Sequence, residues 1–475
     1  MATVPTLKRG IRFRDLVLFY VMSGMSIRWT ATAAAAGPSI LLVWLAALIG
    51  FFVPLAASVM ELSSRYPEEG GIYIWAKEAF GDFAGFITAW TYWMSNLPYF
   101  AGVLYFGAAS VLFAGGTRAQ ALSGNPLYYL SFAVVWLAII TLVNIRGVNV
   151  GKWLNNIAAI GTLIPMAALL VLGAISYTRF GSVTHFHSAA LVPHWTLSNA
   201  IFWSSVFFAF GGFESGSSMG DEIVNPRRTI PVAILAGGSI LAFGYMAGTT
   251  ALLAALPSNA VEGPDGFVHG IQMLSGRLGI GWLMAPVALL VALNAVGGAA
   301  AYLSSTSRLP FVAGIDRYLP EAFGKIHPRY RTPWVAIGVY GLAGIVVVLL
   351  GQAGTNVRGA YEALVAMGFL SYFVPYLFLF GAMIRLQTRP AGQEVRRVPG
   401  GKPTAIALAG LGLVSTAATI VLSAIPAADE PNKLLEVVKV VGGSAVLMGA
   451  GVVVFLLERW RSGRLRLRPD ARRLG

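Results

Sequence analysis

Apolar runs long enough to span a membrane, separated by short polar segments, recur along almost the whole of the 475-residue chain. As a helix, each is long enough to cross a hydrocarbon core of about 30 Å. Twelve spans can be drawn, at 15–37, 40–62, 83–113, 127–145, 153–177, 198–220, 231–256, 281–307, 333–352, 359–384, 403–425 and 436–457. The pattern predicts an all-α polytopic membrane protein.

Most of these spans are uniformly apolar, and the sixth departs from them. Residues 207–228 read FFAFGGFESGSSMGDEIVNPRR, placing Gly211, Gly212, Gly216 and Glu214 in the span and Asp221 and Glu222 at its exit. Each glycine weakens a helix by about 1 kcal/mol relative to Ala. A carboxylate at mid-depth costs at least about 2.5 kcal/mol and normally faces a cavity or a partner. The first span has its own interruption, Ser23-Gly24-Met25-Ser26, about a third of the way along, and Ser–Gly pairs break helices. Interrupted helices at corresponding places in two halves point to an inverted repeat with its binding site at the breaks. A half-helix N-terminus offers N–H groups to an anion, and unwound carbonyls offer acceptors to a cation. A zwitterion carries one charge of each sign, which points to an amino acid as the ligand.

Composition agrees with the membrane assignment. Hydrophobic residues make up 56% and charged residues only 11%, with a mean hydropathy of +0.70; a soluble domain carries about 25% charged residues. The net charge of +14 does not call for nucleic acid, because the basic residues sit between the apolar runs. With the N-terminus in the cytoplasm, 27 lysines and arginines fall on one face and six on the other, with Arg28 inside the first span. That bias predicts cytoplasmic termini. No removable signal peptide is expected at the start. The absence of Cys excludes disulfides, thiolate metal sites and cysteine nucleophiles.

Three motifs give the chain a family likeness. Tyr66-Pro67-Glu68-Glu69-Gly70-Gly71-Ile72-Tyr73, then Ala79-Phe80-Gly81, resembles the loop between the second and third spans of amino acid–polyamine–organocation (APC) permeases. Phe210-Gly211-Gly212-Phe213-Glu214, with Glu222-Ile223-Val224-Asn225-Pro226-Arg227-Arg228-Thr229-Ile230-Pro231, is similar to their sixth span and its exit. Arg308-Leu309-Pro310, with Ala313-Gly314-Ile315-Asp316-Arg317-Tyr318-Leu319-Pro320, resembles their loop after the eighth span. The resemblance covers residues 10–385. It implies a LeuT-like fold of two five-helix inverted repeats, with discontinuous first and sixth helices and two peripheral spans. The expected organisation is a cytoplasmic segment 1–14, a first repeat 15–177, an external loop 178–197, a second repeat 198–384, a basic cytoplasmic loop 385–402, two spans within 403–457 and a basic tail 458–475. The resemblance also implies site residues. Ser23, Gly24 and Met25, with Ser26, fall on the turn whose amides hold a substrate carboxylate. Ala209, Phe210 and Gly211 fall where carbonyls receive the amino group. Phe207, Tyr92 and Tyr302 match aromatic gates.

Arg28 and Thr162 depart from most relatives of that family. A buried Arg needs an anionic partner, and two readings stand: an ion pair with Glu214, or contact with an acidic substrate. Thr162 stands where several proton-coupled relatives carry Lys. With Ser304, Ser305 and Thr306 it could ligate Na⁺, but hydroxyl packing between helices is the favoured reading. His185, His187 and His194 read as surface histidines of an external loop, not a metal site. Asp221 and Glu222, near Arg227 and Arg228, suggest a gate or capping network. The run RWRSGRLRLRP from residue 459 is expected along anionic headgroups.

The sequence therefore predicts a multi-pass inner-membrane amino acid permease working by alternating access, coupled to H⁺ or to exchange, with Na⁺ less favoured. An antiporter of acidic or cationic amino acids or polyamines against their metabolites is the alternative. A channel would need a continuous polar pore lining. An enzyme would need a nucleophile–base pair or a metal motif within the spans. Neither pattern is present, and no cofactor, metal or nucleic-acid partner is called for. The sequence leaves the oligomeric state open.

Overall fold

The computed structural model describes residues 7–262, 265–352, 357–425 and 433–461, and its named elements are helical. The end of the basic tail, residues 462–475, lies outside the described residues. The first expected span is two helices, α1 (Phe13–Gly24) and α2 (Arg28–Ala35). Helix α3 (Ile40–Arg65) contains a wide π-helical turn at Leu48–Phe52, just ahead of Pro54. Proline lacks an N–H and crowds the preceding turn; the widened turn accommodates it and turns Phe51 and Phe52 into the core. The short α4 (Ile72–Phe80) follows. Then come α5 (Asp82–Ala114), α6 (Pro126–Ile145) and α7 (Val148–Phe180).

The sixth expected span is also divided. Helix α8 (Leu197–Phe208) stops at the glycine pair, and a 3₁₀ segment, Ser215–Glu222, resumes beyond it. The remaining elements are α9 (Pro226–Ala255), α10 (Gly266–Arg277), α11 (Met284–Thr306), α12 (Arg308–Ile315), α13 (Trp334–Gln352), α14 (Val357–Leu386), α15 (Gly401–Ser423) and α16 (Gly443–Arg461). Eight helices among the described residues have the length and apolarity to cross a membrane. Leu197–Phe208, Trp334–Leu350 and Leu370–Leu386 are shorter apolar helices. The chain is thus a multi-pass membrane protein. The two broken spans fall short of crossing length because the glycine-rich stretches divide them.

Packing places both breaks at the centre. Helix α5 lies against α11 and α14, α11 against α7, and α1 against α9. At the end carrying the N-terminus, the extended residues before α1 run beside the exit of the 3₁₀ segment. Gly10 and Ile11 donate to the Glu222 carbonyl at 2.9 and 3.0 Å, and Val224 donates to Ile11 O at 2.9 Å. Lys152 Nζ caps the same strip at Gly10 O, 2.8 Å. This end is closed.

Candidate substrate site

The first break is a true interruption. Met25 N–H still reaches Val21 O at 3.0 Å, but Met25 itself is extended (φ −98°, ψ 93°), and α2 restarts at Arg28 with its N-terminal end facing the gap. At the second break Gly212 adopts φ +103°, where side chains are strained. A Cβ there would lie 2.5 Å from the Tyr302 hydroxyl oxygen and 3.1 Å from Ser23 O. The glycine is what lets the two broken strands of chain approach each other.

One residue outside the expected set ties the breaks together. Tyr245 Oη accepts from Ser26 N–H at 3.1 Å and stands 3.1 Å from both the Gly24 and the Ala209 carbonyls, to one of which it donates. Its ring stacks on Trp44 at 4.6 Å, and Trp44 Nε1 donates to Thr249 Oγ1 at 3.1 Å. An aromatic stack and an indole hydrogen bond therefore fix the hydroxyl at the junction. Tyr245→Phe leaves a buried N–H or carbonyl unsatisfied, at about 1–3 kcal/mol. The expected result is a lower unfolding temperature together with slowed uptake in proteoliposomes.

Between the breaks lies a cavity. Ser23, Gly24, Ser26, Arg28, Ala209, Gly211 and Tyr302 line it, as do Ser95, Asn96, Tyr99, Phe208 and Tyr372. Among the described lining residues there is no carboxylate, and Arg28 is the only cation. Tyr99 and Tyr302 pack ring to ring at 4.8 Å.

The side chains of four of the expected residues lie outside the cavity lining. Phe207 is not a lining residue; its ring faces Gly50, and the neighbouring Phe208 lines the cavity and packs on Tyr372 at 4.7 Å. Phe210 packs between Trp44, Phe52 and Tyr245. Met25 is buried and points at Gly244. Tyr92 lies past the cavity, where its hydroxyl donates to Glu214 Oε1 at 2.5 Å. Ser95, Asn96 and Tyr99 were missed, although with Tyr92 they follow a helical spacing that marks one face of α5. Tyr372 carried no local signal.

Glu214 is not paired with Arg28. Its carboxyl receives the Tyr92 hydroxyl, Tyr372 Oη at 3.4 Å and the Gly212 N–H at 3.2 Å. Tyr376 extends the network to Tyr372 at 2.8 Å and to Gly212 N at 3.2 Å. The open backbone at the glycine pair and three tyrosines supply what the ion pair would have supplied. Arg28 lines the cavity and lies 5.5 Å from the centre of the Trp29 ring. Thr162 is buried and accepts from Asn294 Nδ2 at 2.6 Å. Ser305 donates to its own helix at Ala301 O, 3.1 Å, and Ser304 Oγ lies 3.9 Å from Met219 Sδ.

Comparison with known proteins fits this architecture. Residues 15–444 match the amino acid permease family. The chain belongs to that family, within the APC superfamily. The permease is similar to an uncharacterised transporter of Legionella pneumophila, 26% identical over 95% of this chain and 96% of that one. It is also similar to a probable agmatine/putrescine antiporter of Lactococcus lactis, 24% identical over 89% and 90%. A glutamate/serine transporter of Bacillus subtilis is 29% identical over 64% of this chain and 58% of its own. The family and these relatives are transporters, not enzymes.

Proposed function

We propose that this permease is a secondary active transporter that moves amino acids across the cytoplasmic membrane by alternating access, built on a LeuT-like five-plus-five repeat. The observation that carries the reading is the cavity at two broken helices, closed toward the N-terminal end. Ser23, Gly24 and Ser26 with the start of α2 receive the substrate carboxylate, and the carbonyls near Ala209 and Gly211 receive its amino group. Relatives named for diamines make a polyamine the competing substrate. A diamine needs an acceptor for its second cation, and the described lining provides a guanidinium instead of a carboxylate. Guanidinium has five N–H donors, so Arg28 can take a ligand oxygen alongside its other contacts.

The test is a thermal-shift screen of purified protein against all amino acids and common polyamines, followed by flux of each stabilising compound. A ligand stabilises by mass action. An amino acid that raises the melting temperature and shows saturable, stereoselective uptake supports the reading. Stabilisation by putrescine or agmatine alone would overturn it.

Coupling to sodium is not expected. Asn294 already occupies the Thr162 hydroxyl, Ser305 turns to its own helix and Ser304 to Met219. Uptake into proteoliposomes should be unchanged when choline replaces Na⁺, and Thr162→Val should leave that ratio at about one. A loss of uptake on removing Na⁺ would reinstate the ion.

A further inference from the structure

The three motifs that give the chain its family likeness are far apart in sequence, yet they meet at the closed end. Gly71 lies so close to the 3₁₀ segment that a Cβ would come within 2.3 Å of Ser217 Oγ, and a Cβ on Gly220 within 2.0 Å of Pro67 O. Gly70 N–H donates to Ser218 O at 3.1 Å. The loop after α3 is thereby pressed onto the exit of the sixth span. Arg308, at the start of α12, enters the same contact from the other side.

Charge at this contact does not balance. Arg308 holds Glu222 bidentately, Nη2 to Oε1 and Oε2 at 2.9 Å and Nε to Oε2 at 3.1 Å. Its Nη1 donates to the Ser304 carbonyl and to Ser307 Oγ. Glu69 is the third ionisable group. Its Oε2 accepts from Asp221 N–H at 3.0 Å, while its Oε1 is 3.7 Å from Arg308 Nε and is buried without a hydrogen-bond partner among the described residues. The side chains of Arg308, Glu222 and Glu69 are 2%, 0% and 5% exposed. One guanidinium thus faces two carboxylates away from water, and the carboxylate with the weaker contacts is Glu69. Asp221, exposed beside it, adds further negative charge. Burial raises the Glu69 pKa well above the usual carboxylate value, Glu222 and Asp221 add to that rise, and Arg308 and the Asp221 N–H oppose it only in part. A second cavity, lined by Asp15, Lys152, Asn155, Met219, Glu222 and Ser304, touches the cluster at Glu222.

We propose that Glu69 is a proton-binding site that locks the N-terminal end of the permease shut. One proton from the water on that side binds the Glu69 carboxylate when the end closes and returns to the same water when it opens, so none crosses the membrane. Like any proton bound more tightly by one state than another, it stabilises that state. The closed state has the raised pKa. The lock is therefore complete below the open-state pKa of Glu69 and weakens as pH rises through the closed-state pKa. Acid on this side slows opening and alkali speeds it. The proposal needs no particular substrate, though it takes the movement of this end from the alternating-access reading.

The chain has no Cys, so two introduced thiols can carry spin labels without competition. Glu68→Cys on the loop and Arg228→Cys beyond the sixth-span exit are both exposed and flank the lock. Pulsed electron paramagnetic resonance distances are then read in substrate-free protein from pH 5 to pH 9. We expect the long-distance, open population to grow relative to the closed one by up to tenfold for each pH unit between the two pKa values. In the Glu69→Gln background, the amide imitates the protonated carboxyl and the closed distance should persist at every pH. A distribution independent of pH in the parent, or the same rise in Glu69→Gln, would overturn the proposal. If Glu69→Gln fails to fold, Glu69→Asp replaces it: a shifted midpoint supports the site and an unshifted one overturns it. Because no substrate is present, a negative result here leaves the transport reading to be judged by the screen and flux assays.

Discussion

Arg308→Met is expected to be the most damaging single substitution in the closed end of the molecule. It removes the one guanidinium that neutralises Glu222 and leaves that buried carboxylate uncompensated beside Glu69. Breaking one side of a buried pair costs about 3–5 kcal/mol, because the survivor stays uncompensated. The variant should unfold at markedly lower temperature in detergent and lose uptake. Two controls separate lost charge from lost packing. Lowering the pH protonates the abandoned carboxylate and should recover part of the melting temperature. Arg308→Met with Glu222→Gln should also recover part of it, since replacing both members of a buried pair is often close to neutral. If neither control recovers stability, the role of Arg308 is packing of its stem rather than neutralisation.

Much of this architecture was legible in the sequence, and the reasons differ from one feature to the next. The breaks could be read because Ser23-Gly24 and Gly211-Gly212 interrupt otherwise apolar runs, and glycine is the residue whose intrusion has a local physical meaning. The rotation of α8 could not be read. In Phe207-Phe208-Ala209-Phe210 adjacent positions differ by about 100° around the helix, and three identical rings give no sign of which one faces the cavity. Tyr245 was equally silent, an aromatic in a long apolar helix, distinguished only by the Trp44 ring that stacks on it and the two carbonyls it reaches. The sequence placed Asp221 and Glu222 in a gate or capping network but offered the nearby Arg227 and Arg228 as partners. The structure pairs Glu222 with Arg308, 86 positions away, and Arg227 with the exposed Glu394 at 3.1 Å. Local spacing suggests a neighbour in sequence; only the tertiary fold brings in the distant one.

The network beneath the cavity yields the second large effect, and it replaces the ion pair that the sequence alone made plausible. Glu214 Oε2 faces the Gly212 N–H, and Oε1 receives the Tyr92 and Tyr372 hydroxyls. In Glu214→Gln the amide must turn either its NH₂ toward a backbone donor or its NH₂ toward two hydroxyls. Either the Gly212 N–H then meets another donor, or the tyrosine hydroxyls accept from the NH₂ and their own protons lose this acceptor, at a cost of about 1–3 kcal/mol. Uptake should fall with stability, because Tyr372 is shared between this network and the cavity wall. A double-mutant cycle locates the coupling. Tyr92→Phe combined with Glu214→Gln should give an interaction energy of about 1 kcal/mol or more, as expected for groups in contact. Arg28→Met combined with Glu214→Gln should add to within about 0.5 kcal/mol, as expected for groups that are not paired with each other. Arg28→Met alone should stay folded and shift preference from acidic toward neutral amino acids, because it removes donors from the cavity wall without touching the carboxyl below. A coupling between Arg28 and Glu214 as large as that between Tyr92 and Glu214 would mean that the two charges meet in another state of the transport cycle.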